Sequence, residues 1–167
     1  RSGDIDPAFV EYLCNKENLT VSEVLNILNK KSGMLGMTGI SSDYRDVSAA
    51  AEAGNQDAIN CLEAYAYRII KYIGSYIAAM GGVDVITFTA GLGENAIPLR
   101  ETICKAFEFM GLEFDSEANN CRGVEKIITK EGSKITACVI PTKRGNRNLR
   151  GDRRVSKRKI KNNSKSS

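Results

Sequence analysis

Two groups of residues are of types and spacings that do chemistry. Gly91-Leu92-Gly93-Glu94-Asn95 follows a β-branched and aromatic run, Val83 to Phe88, and precedes a helical pattern. A strand, a tight glycine turn and a helix start bring unpaired backbone N–H groups to one point. Glycines without a Cβ let a flat or anionic ligand approach the main chain. The third glycine of the dinucleotide fingerprint is absent, as is the Gly-Lys-Ser/Thr of the phosphate loop, so this signal is weak by itself. The second group is Asp43 and Arg45, a carboxylate and a guanidinium in the stretch Ser32–Asp46, which is rich in Gly and Ser. By itself it reads as a connecting loop with a local ion pair, and the sharper alternative is a binding loop. The chain has no His. That excludes a Ser-His-Asp triad, a Cys-His pair and the usual zinc chemistries within it. A metal would have to be oxygen-bound, such as magnesium on a nucleotide.

The elements that must position these groups are legible in outline. Asp6 and Pro7 open a helix carrying Phe9, Val10, Tyr12 and Leu13. Thr20 and Glu23 form a capping box for a second helix with Val21, Val24, Leu25 and Leu28 on one face. Ser32–Asp46 has no sustained period and is too apolar for a solvated linker. An ordered loop with a short strand is expected there. Asn55 caps the longest element, Gln56 to about Met80, whose apolar face runs from Ile59 through Leu62, Ala66, Ile69, Ile70 and Ile73 to Ile77. Its tyrosines, Tyr65, Tyr67, Tyr72 and Tyr76, read as core or boundary packing. Gly81-Gly82 then leads into a buried strand. After Asn95 a helix is expected with Pro98 near its start, Ile103, Cys104, Phe107 and Met110 inward, and Gly111 at its end. Short strands are expected at Leu112–Phe114, Lys126–Thr129 and Ile135–Ile140, with turns at Asn119-Asn120 and Glu131-Gly132.

The 167 residues suffice to bury a core, and 42% hydrophobic residues is ordinary for a globular protein. No apolar run is long enough to cross a membrane. Five scattered cysteines without a C-x-x-C read as reduced, mostly buried thiols of a cytoplasmic protein. The net charge of +4 hides two unlike parts. Lys143–Ser167 holds eleven Lys or Arg and one acidic residue, leaving thirteen basic against nineteen acidic, a net of −6, for Arg1–Thr142.

Three stretches together resemble the acetate kinase family. They are Arg-Ser-Gly-Asp-Ile-Asp-Pro at Arg1, Gly-Met-Leu-Gly-Met-Thr-Gly-Ile-Ser-Ser-Asp-Tyr-Arg-Asp at Gly33, and Phe-Thr-Ala-Gly-Leu-Gly-Glu-Asn at Phe88. Val-Ile-Pro-Thr at Val139 resembles the family's late strand. The match runs in order from Arg1 to Thr142, and three motifs in register are highly specific.

The resemblance implies an α/β fold: the C-terminal domain of the sugar kinase, Hsp70 and actin superfamily (ribonuclease H-like), with a mixed sheet flanked by helices. It implies a nucleotide-binding domain over 1–142, similar to the C-terminal half of an enzyme that reversibly transfers the γ-phosphoryl of ATP to acetate with magnesium. Arg1 then stabilises the transferring phosphoryl group, whose equatorial charge a planar cation neutralises. Asp43, Tyr44 and Arg45 resemble the loop that holds the adenosine, and Gly91, Leu92, Gly93, Glu94 and Asn95 the turn that lines the nucleotide cleft. The family's partners are ATP or ADP, acetate or acetyl phosphate, and commonly a second subunit in a homodimer. A propionate or butyrate kinase is the near alternative.

Two departures qualify the resemblance. The family's acetate pocket, catalytic His and Asp, and a further phosphate-binding Arg belong to its other half, so this chain alone is not expected to turn over. After Thr142 the family continues with Asn-Glu-Glu and an Ala- and Glu-rich helix, whose first Glu serves magnesium. Here Arg144 stands at that Glu, and no metal residue is assigned. One inserted base accounts for the change, because a suitable coding of 143–156 regains the family ending when one A is removed. The basic tail 143–167 then reads as a frame-shifted, solvated extension that binds nucleic acid only nonspecifically. A non-catalytic, polyanion-binding protein is the alternative from another class.

Overall fold

The computed structural model describes residues 1–142. The tail 143–167, Arg144 and the frame-shift reading lie outside the described residues.

Asp6 accepts a hydrogen bond from the Ala8 N–H and caps α1 (Pro7–Glu17). The Thr20–Glu23 capping box opens α2 (Val21–Asn26), which runs into a π-helical turn, Ile27–Lys31. The strand expected between Ser32 and Asp46 is instead a helix, α3 (Met34–Thr38). Left-handed Gly33 and Gly39 bound it, and Thr38 Oγ1 donates back to the Met34 carbonyl at 2.8 Å. Leu and Met are strong helix formers, and these local bonds favour one tight turn over an extended segment.

The chain goes directly into α4 (Tyr44–Glu52), capped by Asp43. Then comes α5 (Gln56–Met80), capped by Asn55 and ended by left-handed Gly81, as its sequence predicts. Ala66 and Ile77 are buried, with Tyr65, Ile69, Ile70 and Ile73 packed partly against the same core. Tyr67 and Tyr76 depart from the packing expected of them and are 63% and 61% exposed.

Strand β1 (Val85–Phe88) is shorter than the predicted run and alternates, with Ile86 and Phe88 buried and Val85 52% exposed. It lies at an edge of the sheet, and only one of its faces meets the core. Next come α6 (Ala90–Asn95), α7 (Ile97–Lys105) and a 3-10 turn, Glu108–Met110, closed by Gly111. The single helix expected up to Gly111 is thus broken after Lys105. Last come α8 (Ser116–Asn119), β2 (Lys126–Ile127) and β3 (Thr136–Val139).

The sheet order is β1-β3-β2, with β1 parallel and β2 antiparallel to β3, a small mixed sheet as expected. The parallel pairing requires the long crossover through α6, α7 and α8. The strand predicted at Leu112–Phe114 is reduced to one bridge, Phe114–Thr129. Leu112 and Phe114 are buried as core side chains rather than as members of a ladder. The larger core lies between the sheet, α5 and α7, and a smaller one of Val47, Ala58 and Cys61 joins α4 to α5. All five cysteines are free thiols, and three of them are buried.

Candidate active-site cleft

Asp43 and Arg45 sit where the α3–α4 connection becomes helical. Asp43 Oδ1 accepts from the Arg45 backbone N–H at 2.9 Å and from Arg45 Nε at 3.1 Å, and Oδ2 accepts from Arg45 Nη2 at 2.7 Å. One carboxylate thus caps α4 and grips the guanidinium two residues on. The Arg45 side-chain bonds, and then its backbone N–H, lower the Asp43 pKa to about 2. Among the described residues Oδ2 has one donor, which leaves it acceptor capacity for a ligand hydroxyl or amine. Tyr44 is half-buried against Tyr65, with ring centroids 6.1 Å apart. Burial, with Tyr65 beside it, raises its pKa.

The glycine turn is a short helix, α6, entered through a corner at Thr89 and Ala90. Ala90 has φ 60, in the left-handed region that non-glycine residues seldom adopt. The two glycines do different work. A Cβ at Gly91 would meet nothing within 4 Å, whereas one at Gly93 would lie 3.1 Å from the Phe88 backbone. Gly91 therefore opens to the cleft, and Gly93 lets α6 pack on β1. Asn95 Nδ2 donates to the Gly91 carbonyl at 2.8 Å. Glu94 Oε1 accepts from the backbone N–H and the hydroxyl of Thr142, both at 2.8 Å, tying α6 to the end of the described chain.

Arg1 is held by its neighbours. The Ser2 N–H donates to the Leu28 carbonyl at 2.8 Å. Gly33 has φ 65, and a Cβ there would fall 2.4 Å from the Arg1 carbonyl oxygen. Only glycine fits that approach. Farther along, Asp4 pairs with Arg68 at 2.6 Å and accepts from the Tyr72 hydroxyl, fastening the segment to α5.

Two adjoining clefts bring these residues together. The first, about 760 Å³, is lined by Asp43, Tyr44, Arg45, Gly91, Leu92 and Asn95, and also by Ser48, Glu52, Pro98 and Arg122. The second, about 680 Å³, is lined by Arg1, Gly33, Asp43, Tyr44, Tyr65, Arg68 and Leu92, among others. Asp43, Tyr44 and Leu92 belong to both. Gly93 and Glu94 line neither. Arg122, Glu52 and Arg68 were not marked by the sequence. Their side chains reach the clefts from helix and loop positions that carry no local signal.

Among the described residues no three His, Cys, Asp or Glu are grouped to hold a metal ion. No helix among them is long and apolar enough to cross a membrane.

The model of the acetokinase family matches residues 1–146. An acetate kinase of Lachnoclostridium phytofermentans is 54% identical over 142 residues, which are 85% of this chain and 36% of that protein. The crystal structure of Porphyromonas gingivalis acetate kinase superposes with a TM-score of 0.80 at 48% identity, over 85% of this chain and 36% of the other. That of a Francisella tularensis propionate kinase gives 0.76 at 34%, with the same coverage. The chain thus spans about a third of the length of the relatives it matches.

Proposed function

The chain belongs to the acetokinase family, and from that premise we propose that it is the nucleotide-binding part of an acetate kinase. The reaction proposed for the full-length protein is reversible transfer of the γ-phosphoryl of ATP to acetate. An acetate oxygen attacks the γ-phosphorus, the bond to the β,γ-bridging oxygen breaks, and ADP and acetyl phosphate result.

The observation that carries this reading is the shared wall of the two clefts. Asp43, Tyr44 and Leu92 line both, so a nucleotide seated in the first can extend its phosphates toward Arg1 in the second. Asp43 Oδ2 takes a hydroxyl or amine edge of the adenosine. Arg45, held in plane by Asp43, lies beside the base or a phosphate. Gly91 lets the ligand approach α6, and Leu92 and Tyr44 supply apolar contact. Gly93 and Glu94 act one step back, keeping α6 on β1 and on Thr142, while Asn95 lines the cleft and bonds back to the Gly91 carbonyl. Arg1 neutralises charge that spreads over the equatorial oxygens in the transition state.

Magnesium enters with ATP by family likeness, and no step is assigned to it through these residues. A homodimer and a cytoplasmic location belong to the same family-based reading. Residues 1–142 form the functional domain, and 143–167 are an appendage that attracts polyanions by charge alone. The propionate kinase likeness at 34% identity supports a second acyl group as the alternative substrate. The greater identity to acetate kinases favours acetate.

Titration of the isotope-labelled chain with ADP, followed by amide chemical shifts, tests the site. Perturbations should centre on residues 43–45 and 91–95. Shifts confined to 143–167, or none, would overturn the reading.

A further inference from the structure

Arg100 on α7 is fully buried, yet no salt bridge engages it among the described residues. Its guanidinium is satisfied by amide and carbonyl oxygens instead. Nε donates to Asn119 Oδ1 at 2.8 Å and Nη1 to the Gly93 carbonyl at 3.0 Å. Nη2 donates to the carbonyls of Asn119 at 2.8 Å and Cys121 at 2.7 Å. Asn119, 1% exposed, adds a bond from its Nδ2 to the Ile97 carbonyl at 3.1 Å.

Three of the groups in this network, Gly93, Ile97 and Cys121, lie next to a cleft residue. Gly93 and Ile97 sit among Gly91, Leu92, Asn95, Ala96 and Pro98, which form one wall of the first cleft. Cys121 precedes Arg122, which lines the same cleft from a different segment. A buried cation without a carboxylate is a costly way to fill space, and burial accordingly lowers the Arg100 pKa. A fork that joins carbonyls of two separate segments fixes their spacing, which an apolar side chain of similar size cannot do.

We infer that Arg100 is a positioning residue: a buried clamp that sets the α6 wall of the first cleft against the segment carrying Arg122. The inference rests on the nucleotide reading of that cleft for its consequence, but the clamp itself is testable without nucleotide.

Hydrogen–deuterium exchange of the full chain, free of ligand, is compared for wild type, Arg100→Lys and Asn119→Ala. Lysine keeps the charge but loses the planar, five-donor fork that spans both segments. Asn119→Ala keeps the guanidinium and removes one acceptor, so the test does not depend on the lysine variant folding. The clamp predicts faster exchange confined to residues 90–97 and 118–123, with α5 and β3 protected as in wild type. Unchanged exchange in those segments would overturn it. So would a uniform loss across α5 and β3, the pattern expected of a general core lesion such as Ile128→Val.

ADP affinity is then measured on the same proteins. Arg100→Lys should weaken it by about tenfold, the scale of one lost hydrogen bond, while Ile128→Val leaves it unchanged. Loosened segments with undiminished ADP affinity would overturn the positioning role. A wild-type chain that binds no ADP would instead refute the nucleotide reading, and the exchange map would still decide the clamp.

Discussion

Asp43 performs two tasks with one carboxylate, capping α4 and orienting Arg45. Its pKa is depressed from 3.8 to about 2. A group depressed on folding contributes stability that is fully present above the unfolded value and is lost as pH falls through the folded one. The Asp43 contribution therefore persists above 3.8 and disappears on acidification through about 2. The Asp43 contribution to ADP affinity, read as the difference between wild type and Asp43→Ala, should be flat between about pH 5 and pH 8. A titration step in that range, absent in Asp43→Ala, would contradict the assignment. Gly33 is the other residue with a sharp requirement. Gly33→Ala places a Cβ 2.4 Å from the Arg1 carbonyl oxygen at φ 65. It should cost about 1–3 kcal/mol in denaturant unfolding and speed exchange at the Ser2 N–H. Wild-type stability and exchange would show that Arg1 is not held there.

At the scale of elements, the local signals proved the most legible. Asn55 accepts from the Ala58 N–H at 2.9 Å, and α5 starts and stops where its sequence indicates. Asn55→Ala should lower stability by about 1 kcal/mol, as loss of an N-cap does. Urea unfolding with an unchanged slope is the check. The Asp6 cap and the Thr20–Glu23 box were visible for the same reason, since each is complete within four residues. Most of what escaped depends on distant partners, the α3 turn being the local exception. The α3 turn took the place of a strand because Gly33 and Gly39 set its ends. Leu112 and Phe114 are apolar because the core needs them, not because a ladder does. Gly91 and Gly93 look alike in sequence, and only the nearness of the Phe88 backbone tells them apart. Arg100 stands three, four and seven residues before Ile103, Cys104 and Phe107, on the inward face, yet only the folded chain supplies the oxygens of Gly93, Asn119 and Cys121 that satisfy a charge there. The candidate site was legible through motif likeness, while Arg122, Glu52 and Arg68 joined it by tertiary placement alone.

The whole molecule pairs an acidic body with a basic tail, so polyanion affinity and nucleotide affinity should separate cleanly. DNA binding should fall steeply with salt and vanish when Lys143–Ser167 is deleted. Retained, salt-sensitive DNA binding by 1–142 would favour the non-catalytic alternative instead. Nucleotide binding should behave in the opposite way, because the clefts are built wholly from residues between Arg1 and Arg122. The most direct measurement is calorimetric titration of ADP into the full chain, the chain lacking 143–167, and Asp43→Ala. The account predicts saturable one-to-one binding that is equal in the first two and weakened by about tenfold in the third, the scale of a lost hydrogen bond to a charged group. No saturable binding, or binding that follows the tail and ignores Asp43, would contradict it.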